Sequence, residues 1–379
     1  MRPSIPFGIC LLFALCGTLI AGLPAPVAGS PDPQNQKPWP LPEVHFTPDG
    51  LKAFTALEPI DVHTHVTRSD PAFSAMLQRL HLHLMDVLVA SESGRDHRKA
   101  LQTERQDALN FIASSASHAK LCTTFDPYDL NDPDFAISAV ESLDHDFAEG
   151  AVAVKIWKNV GMELKDGSGK YVMADDPRLA PIYRDIAAHH KTLMAHLAEP
   201  DECWAPRPGA IFADYYAENP QWDMSNVPGA PSKQRILQAR DHVLRMNPDL
   251  RVIGAHLGSM EDDTDLIAER LEKYPNFAVD TAARMPNLVL QPRAKVRAFL
   301  LKFQDRIVYG TDLQFHQRDS PNRSVQQWEN WYAFDWRYLA SEDTFQYAGR
   351  QIRGLHLPRL VLRKIYHDNA VKWVPGILQ

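Results

Sequence analysis

Cysteine is nearly absent from the body of this chain. Four occur in 379 residues, and Cys10 and Cys16 both lie in the opening apolar segment. Only Cys122 and Cys203 remain, which excludes a disulfide-stapled scaffold and a cysteine-based zinc site. They read as two buried thiols, with a single bridge as the alternative in an oxidising compartment. An excess of basic charge is missing too. Lys and Arg number 40 against 47 Asp and Glu, a formal net charge of -7, so the chain offers nucleic acid no basic field. A solenoid-type repeat is lacking. No Gly-rich phosphate turn follows the first β-like run, which removes the main support for an open doubly wound sheet.

A long apolar run occurs at the start. Arg2 precedes the apolar residues 5–23, and small residues and prolines follow. This is the n-region, h-region and cleavage pattern of a secretory signal. Val27-Ala28-Gly29 offers small residues for cleavage, so a mature chain is expected to begin near Ser30. One alternative is a retained membrane anchor, since the run approaches the ~20 residues that span a bilayer. A lipoprotein is disfavoured, because Leu15 precedes Cys16 where a small residue is expected. The expected organisation is a signal over 1–29, an extended Pro-rich leader over 30–57 and one domain over 58–379. The expected location is periplasmic or secreted, with no stable membrane span after cleavage.

Beyond the leader, short apolar runs alternate with amphipathic stretches. The runs cover 60–66, 84–90, 120–125, 151–157, 192–197, 251–257, 277–282 and 307–311. Helical patterns cover 98–114, 134–149, 177–190, 233–246 and 262–274. Eight strands alternating with helices predict parallel βαβ units, and eight such units close into a (β/α)8 TIM barrel of ordinary size. Long insertions follow the fifth strand (200–231) and the eighth (313–341). Both leave the C-terminal ends of strands, the catalytic face of such a barrel. The second insertion carries Phe315, Trp328, Trp331, Tyr332, Phe334, Trp336 and Tyr338. These either wall a pocket or pack a helix on the barrel rim.

The sharpest chemical signal is Ile60-Asp61-Val62-His63-Thr64-His65. Side chains alternate along a strand, so His63 and His65 share a face and are expected to point into the barrel mouth. Two neutral imidazoles on one face suit a borderline cation such as Zn²⁺. His196 closes the fifth run, His256 the sixth and Asp312 the eighth. Any one of them alone reads as a satisfied histidine or a helix-capping aspartate. Together, at the same end of separate strands, they read as one site.

With these residues in place, the chain resembles the amidohydrolase superfamily, in its amidohydrolase-related branch. That branch includes aminocarboxymuconate semialdehyde decarboxylase, resorcylate decarboxylases and dicarboxylate lactonases. The resemblance runs from about Pro59 to the C-terminus, where Lys364-Ile365-Tyr366-His367-Asp368-Asn369-Ala370 is similar to the branch's final helix. It implies that His63, His65 and His196 bind one divalent metal, by default Zn²⁺. Asp312 would be a further ligand or the general base, and His256 would hydrogen-bond the water or the substrate's carbonyl or carboxylate. Lys155, on the fourth run, is either a carboxylated bridge between two metals, an ammonium group aimed at an anionic substrate, or a partner in a barrel-mouth ion pair.

Arg284 could fork onto a substrate carboxylate, or pair with Asp280 or a loop acid. Trp157 is a further substrate-binding candidate. Trp204 and Phe125-Asp126-Pro127 are weaker ones, and His81 and His83 read as structural because they start the second strand. The expected activity is hydrolysis of a small ester, lactone or amide by metal-activated water. Non-oxidative decarboxylation of an unsaturated or aromatic acid is the alternative, and a non-catalytic binding barrel the third. The expected partner is a small molecule, carboxylate-bearing in one reading, with a homo-oligomer as an option and no nucleic acid.

Overall fold

The computed structural model describes residues 41–91, 96–207 and 210–379. The expected signal over 1–29 and the first part of the leader lie outside the described residues. Nine strands form one parallel sheet: β1 (Ile60–Val66), β2 (His83–Val87), β3 (Ala119–Thr124), β4 (Ala153–Ile156), β5 (Thr192–Ala195), β6 (Arg251–Gly254), β7 (Phe277–Asp280), β8 (Ile307–Val308) and β9 (Leu313–Phe315). Their order is β8-β7-β6-β5-β4-β3-β2-β1-β9. β9 continues the eighth run after a break, and it pairs in parallel with β1 from Thr64–Leu313 to Val66–Phe315. Within the break, Tyr309 O accepts the Val62 N–H at 3.1 Å. The eighth run is thus bonded both to β7 and to β1, and the sheet closes as the (β/α)8 barrel the alternation predicts.

Helices cover the outer wall as the apolar periodicity requires. In Lys233–Met246 the buried residues Ile236, Ala239, Arg240, Val243 and Leu244 recur at helical spacing, and the Ser232 hydroxyl caps the start by accepting the Arg235 N–H. The floor of the barrel is filled from the C-terminus. Trp373, Val374 and Ile377 pack with Ile60, Val62, Met85, Met194, Ile253 and Val308. With the N-terminal end of the strands plugged, the C-terminal end is left for chemistry. Cys122 and Cys203 are both free and buried. Among the described residues no helix is long and apolar enough to cross a membrane.

Two expectations need correction, and one open alternative is decided. The leader is not wholly extended, because Pro48–Thr55 is a helix capped by the Thr47 hydroxyl. Pro48 is pre-set for a first helical position, and Phe54 buries fully against Tyr332, Trp336 and Tyr366. The sixth run ends at Gly254, and a left-handed turn replaces its expected last residues. The second insertion is β9 followed by the helix Pro321–Ala340. Of its aromatics, Phe315 stacks on Phe73 and Trp328 meets the same ring edge-on, both at 4.7 Å. They pack the outer wall, which is the rim-packing alternative.

Candidate active site

β1 changes phase in mid-strand. Ile60 and Val62 lie in the barrel's inner cluster, and strict alternation would then turn His63 and His65 outward. The register against β2 shifts between Asp61 and Thr64. This bulge places His63 inside directly after Val62, with His65 inside two residues later. Period two gives the two histidines one face, and the bulge makes that face the inner one.

β5, β6, β7 and the eighth run end in strained backbone. Ala198, His256, Ala283 and Asp312 all have left-handed φ, between 52° and 69°. His256, Leu257, Gly258 and Ser259 form a continuous left-handed turn after β6, a conformation that costs a non-glycine residue about 1–2 kcal/mol. Surrounding bonds hold it. Asp280 Oδ1 accepts the His256 N–H at 2.7 Å, and Arg240 donates to Gly258 O at 2.6 Å. Strain held this way at strand ends is characteristic of functional sites.

The histidines converge with defined tautomers. His65 Nδ1–H donates to Val87 O at 2.7 Å and His256 Nδ1–H to Ala282 O at 2.9 Å. A carbonyl only accepts, so each Nε2 carries a lone pair. His63 Nδ1–H donates to the buried Asp280 Oδ2 at 2.9 Å, which leaves its Nε2 a lone pair too. Two of these Nε2 atoms, those of His63 and His65, meet Asp312, and that of His63 also meets Lys155. Asp312 Oδ1 lies 3.2 Å from His65 Nε2 and 3.5 Å from His63 Nε2, and Lys155 Nζ donates to His63 Nε2 at 2.9 Å. Ligand atoms of His63, His256 and Asp312 all lie within 4.8 Å of one another. The His196 ring stands 4.2 Å from that of His256, and its Nε2 is buried without a hydrogen bond.

The donor set fits a divalent cation. Acceptor lone pairs of His65 and Asp312 face each other at 3.2 Å, an arrangement that only a cation or a proton between them makes favourable. His196 Nε2 is buried without a hydrogen bond of good geometry and faces Glu199 Oε1 at 3.4 Å, an arrangement that a cation beside it would satisfy. Nδ1 hydrogen bonds to a carboxylate or carbonyl are the usual outer support of metal-bound imidazoles. Three of the four imidazoles are held neutral, whereas at His65 burial is outweighed by the Asp312 hydrogen bond and charge, which raise its pKa. Burial depresses the pKa of His63, with the Lys155 charge adding to it, and depresses His256 further, helped by His196. Burial also pushes His196 down to about 3. For Asp312, burial is outweighed by the hydrogen bond that a proton on His65 Nε2 supplies while no cation is bound, and by the charges of His63, His65 and Lys155, which hold it below the usual carboxylate range. Burial lowers Lys155, against the pull of Asp280 and Asp312. Neutral imidazoles and an ionised carboxylate are what metal binding requires.

The first insertion closes over this centre. Lys158 Nζ contacts Glu199 Oε1 at 2.5 Å and donates to Tyr215 Oη at 2.9 Å, and it sits 4.3 Å from the Trp222 ring centre. Tyr216 Oη donates to Glu199 Oε2 at 3.0 Å. Glu199 Oε1 in turn lies 3.4 Å from His196 Nε2. Trp157 packs edge-on against Trp222 at 5.3 Å, as part of the same closure. Arg284 does not pair with Asp280. Its Nε faces Glu261 Oε2 at 3.6 Å and its guanidinium lies 4.6 Å over Phe212 of the insertion. Trp204 donates to Pro231 O at 2.8 Å. Asp126 accepts from His97 at 2.7 Å, beside a cleft between the helices His97–Ser114 and Phe135–Ala148. His83 stacks on His118 at the opposite end of the barrel.

Four polar residues were given no site role by the sequence: Asp61, Lys158, Glu199 and Asp280, the last entering only as a partner for Arg284. Asp280 could have been found, since it ends the seventh run as Asp312 ends the eighth. Glu199 and Lys158 carry no such signal, because they stand in loops beyond the strand ends.

None of the curated proteins matches the chain significantly. Similar solved structures include a putative amidohydrolase from Staphylococcus aureus, at 12% identity and TM-score 0.51 over 83% of this chain and 99% of that one. An uncharacterized TIM-barrel protein from Bordetella bronchiseptica is 14% identical with TM-score 0.49, over 85% and 99%. A 2,6-dihydroxybenzoate decarboxylase from Rhizobium is 14% identical with TM-score 0.48, over 83% and 98%. The family model described as Amidohydrolase matches residues 60–376, which takes in every strand of the barrel and every residue of the converging site. The chain therefore belongs to the amidohydrolase-2 family.

Proposed function

We propose that the chain is an exported metal-dependent hydrolase acting on a small ester, lactone or amide. The observation that carries this reading is the convergence of His63 and His65 Nε2 on the Asp312 carboxylate, with the Nδ1 of each ring already committed to an acceptor. His63, His65, His196 and Asp312 would hold one divalent cation, with Zn²⁺ the default for such ligands. When bound, the cation would lower the pKa of a water at the site towards about 7.

The chain's own residues supply the rest. Asp312 keeps its carboxylate ionised at the barrel mouth, where it can take a proton from the attacking water and return it to the leaving group. His256, with Nδ1–H committed to Ala282 O, offers only an acceptor at Nε2. It therefore fits orienting a water or adding a fourth nitrogen, and it cannot donate to a carbonyl while neutral. The cations Lys155 and Arg284 suit a substrate carboxylate, with Trp157 and the insertion excluding water. Lys155→Met should abolish activity with the metal retained. Full activity in that variant would remove Lys155 from the site, and loss of metal would favour a carboxylated bridge.

The test of the reaction is a panel of lactones, esters, amides and aromatic acids with metal-loaded protein. Hydrolysis releases titratable acid or amine without carbon dioxide, whereas carbon dioxide release would assign decarboxylation to the same residues. Export belongs to the same proposal, and the intact mass of the mature protein tests it. A chain beginning near Ser30 supports a cleaved signal.

A further inference from the structure

We propose that Asp61 is a positioning residue that sets the geometry of the metal centre, and that Tyr332 couples the helix Pro321–Ala340 to that centre through it. The inference rests on the reading of His63, His65 and Asp312 as ligands. Asp61 is fully buried between β1 and the outer helix layer, and four donors converge on it. Its Oδ1 accepts the His63 N–H and the Thr311 N–H, both at 3.1 Å. Its Oδ2 accepts the Thr311 hydroxyl at 2.6 Å and the Tyr332 hydroxyl at 2.9 Å.

Each of these bonds acts on a ligand-bearing segment. The bond to the His63 N–H spans the bulge, the feature that turns His63 and His65 from the outer face to the inner one. The two bonds to Thr311 fix the residue before Asp312, whose backbone is left-handed at φ 64°. Aspartate enters that region more readily than most residues but still at a cost, so surrounding bonds are needed to hold it. Asp312 N–H also donates to His63 O at 2.7 Å, which locks the two segments to each other. One carboxylate thus holds both segments in register, without touching any ligand side chain. Tyr332 supplies its outermost bond. The tyrosine's helix packs on the outer wall, and the Tyr332 hydroxyl is the link from that helix to the ligand geometry inside.

Asp61→Asn is the informative change, because an amide replaces one acceptor by a donor. Whichever way it turns, an NH₂ group then faces donors from His63 and Thr311 or from Thr311 and Tyr332. Tyr332→Phe removes one bond and leaves the volume of the packed ring. Asp335→Asn, at a buried acid bonded to Tyr309 by a 2.8 Å contact, is the control for a merely structural role. Zn²⁺ affinity is measured by competition with a chromophoric chelator, alongside the visible spectrum of the Co²⁺-loaded protein and thermal unfolding of the chelated protein.

Asp61→Asn is expected to weaken Zn²⁺ binding by about 10–100-fold, the usual consequence of losing outer support at a metal site, and to alter the Co²⁺ spectrum. Tyr332→Phe should shift both in the same direction by less. Asp335→Asn should change unfolding alone. Wild-type Zn²⁺ affinity and Co²⁺ spectrum in both Asp61→Asn and Tyr332→Phe overturn the inference. If Asp61→Asn does not fold, Tyr332→Phe decides by the same criterion. A wild-type protein that binds no metal defeats the metal-centre reading itself, which is a different outcome.

Discussion

At the scale of single residues, Asp280 shows how one carboxylate can determine the chemistry of two histidines. Its Oδ2 accepts from the His63 ring and its Oδ1 from the His256 backbone. Asp280→Asn keeps the shape and reverses one interaction, so that an NH₂ group faces His63 Nδ1–H. The ring then prefers the other tautomer, with a proton on the Nε2 needed for a metal. Zn²⁺ affinity is expected to fall about 10–100-fold, as measured by chelator competition, and an unchanged affinity would show that Asp280 does not set the tautomer.

Asp86 carries a second residue-scale prediction. It is buried, its Oδ1 accepts the Val66 N–H at 2.7 Å, and its Oδ2 has no partner. Burial raises its pKa from 3.8 to about 7, against the Val66 hydrogen bond. An acid whose pKa is raised on folding binds its proton more tightly in the native state, so its contribution to stability falls as pH rises from about 4 to about 7. The loss is about 1.4 kcal/mol per pH unit within that window. Asp86→Asn keeps the acceptor for Val66 and removes the titration. In chelated protein, its melting temperature relative to wild type should rise between pH 5 and pH 8. A difference independent of pH would contradict the assignment.

At the scale of elements, the barrel was legible in the sequence, and so was the placing of the candidate residues at strand ends, because both follow from local rules. Apolar runs alternating with amphipathic ones give the strands and helices, and a polar residue closing an apolar run marks His196, His256 and Asp312. The bulge in β1 was not legible, because it depends on the pairing of Asp61 with Thr311, 250 residues away. Nor was the helix Pro48–Thr55, since its packing partners Tyr332, Trp336 and Tyr366 lie near the other end of the chain. The Lys158–Glu199 pair was missed for a similar reason, since its meaning comes from tyrosines of the insertion. That pair ties the insertion to the site. Lys158→Met should leave Glu199 buried beside His196 without its counter-charge, a loss of the order of 3–5 kcal/mol for a broken buried pair. Urea unfolding measures it, and a loss below about 1 kcal/mol, as for an exposed pair, would show the pair to be solvated.

At the scale of the whole molecule, two ends of one barrel divide the work. The C-terminal segment plugs the strand beginnings with Trp373, Val374 and Ile377. The strand endings gather the titratable groups of β1, β4, β5, β6, β7 and the eighth run around one centre. A cation bound there would link segments far apart in sequence, and it would stabilise the folded chain by about 2.7 kcal/mol at a free concentration of 100 times its Kd. Such a cation would therefore be central both to the proposed chemistry and to the cohesion of the barrel mouth. Elemental analysis of purified wild-type protein and His63→Ala tests this most directly. The account predicts one equivalent of a divalent transition metal, chiefly zinc, in the wild type and a loss of most of it in the variant. Equal metal content in the two proteins, or a wild type that stays metal-free after incubation with Zn²⁺, would contradict it.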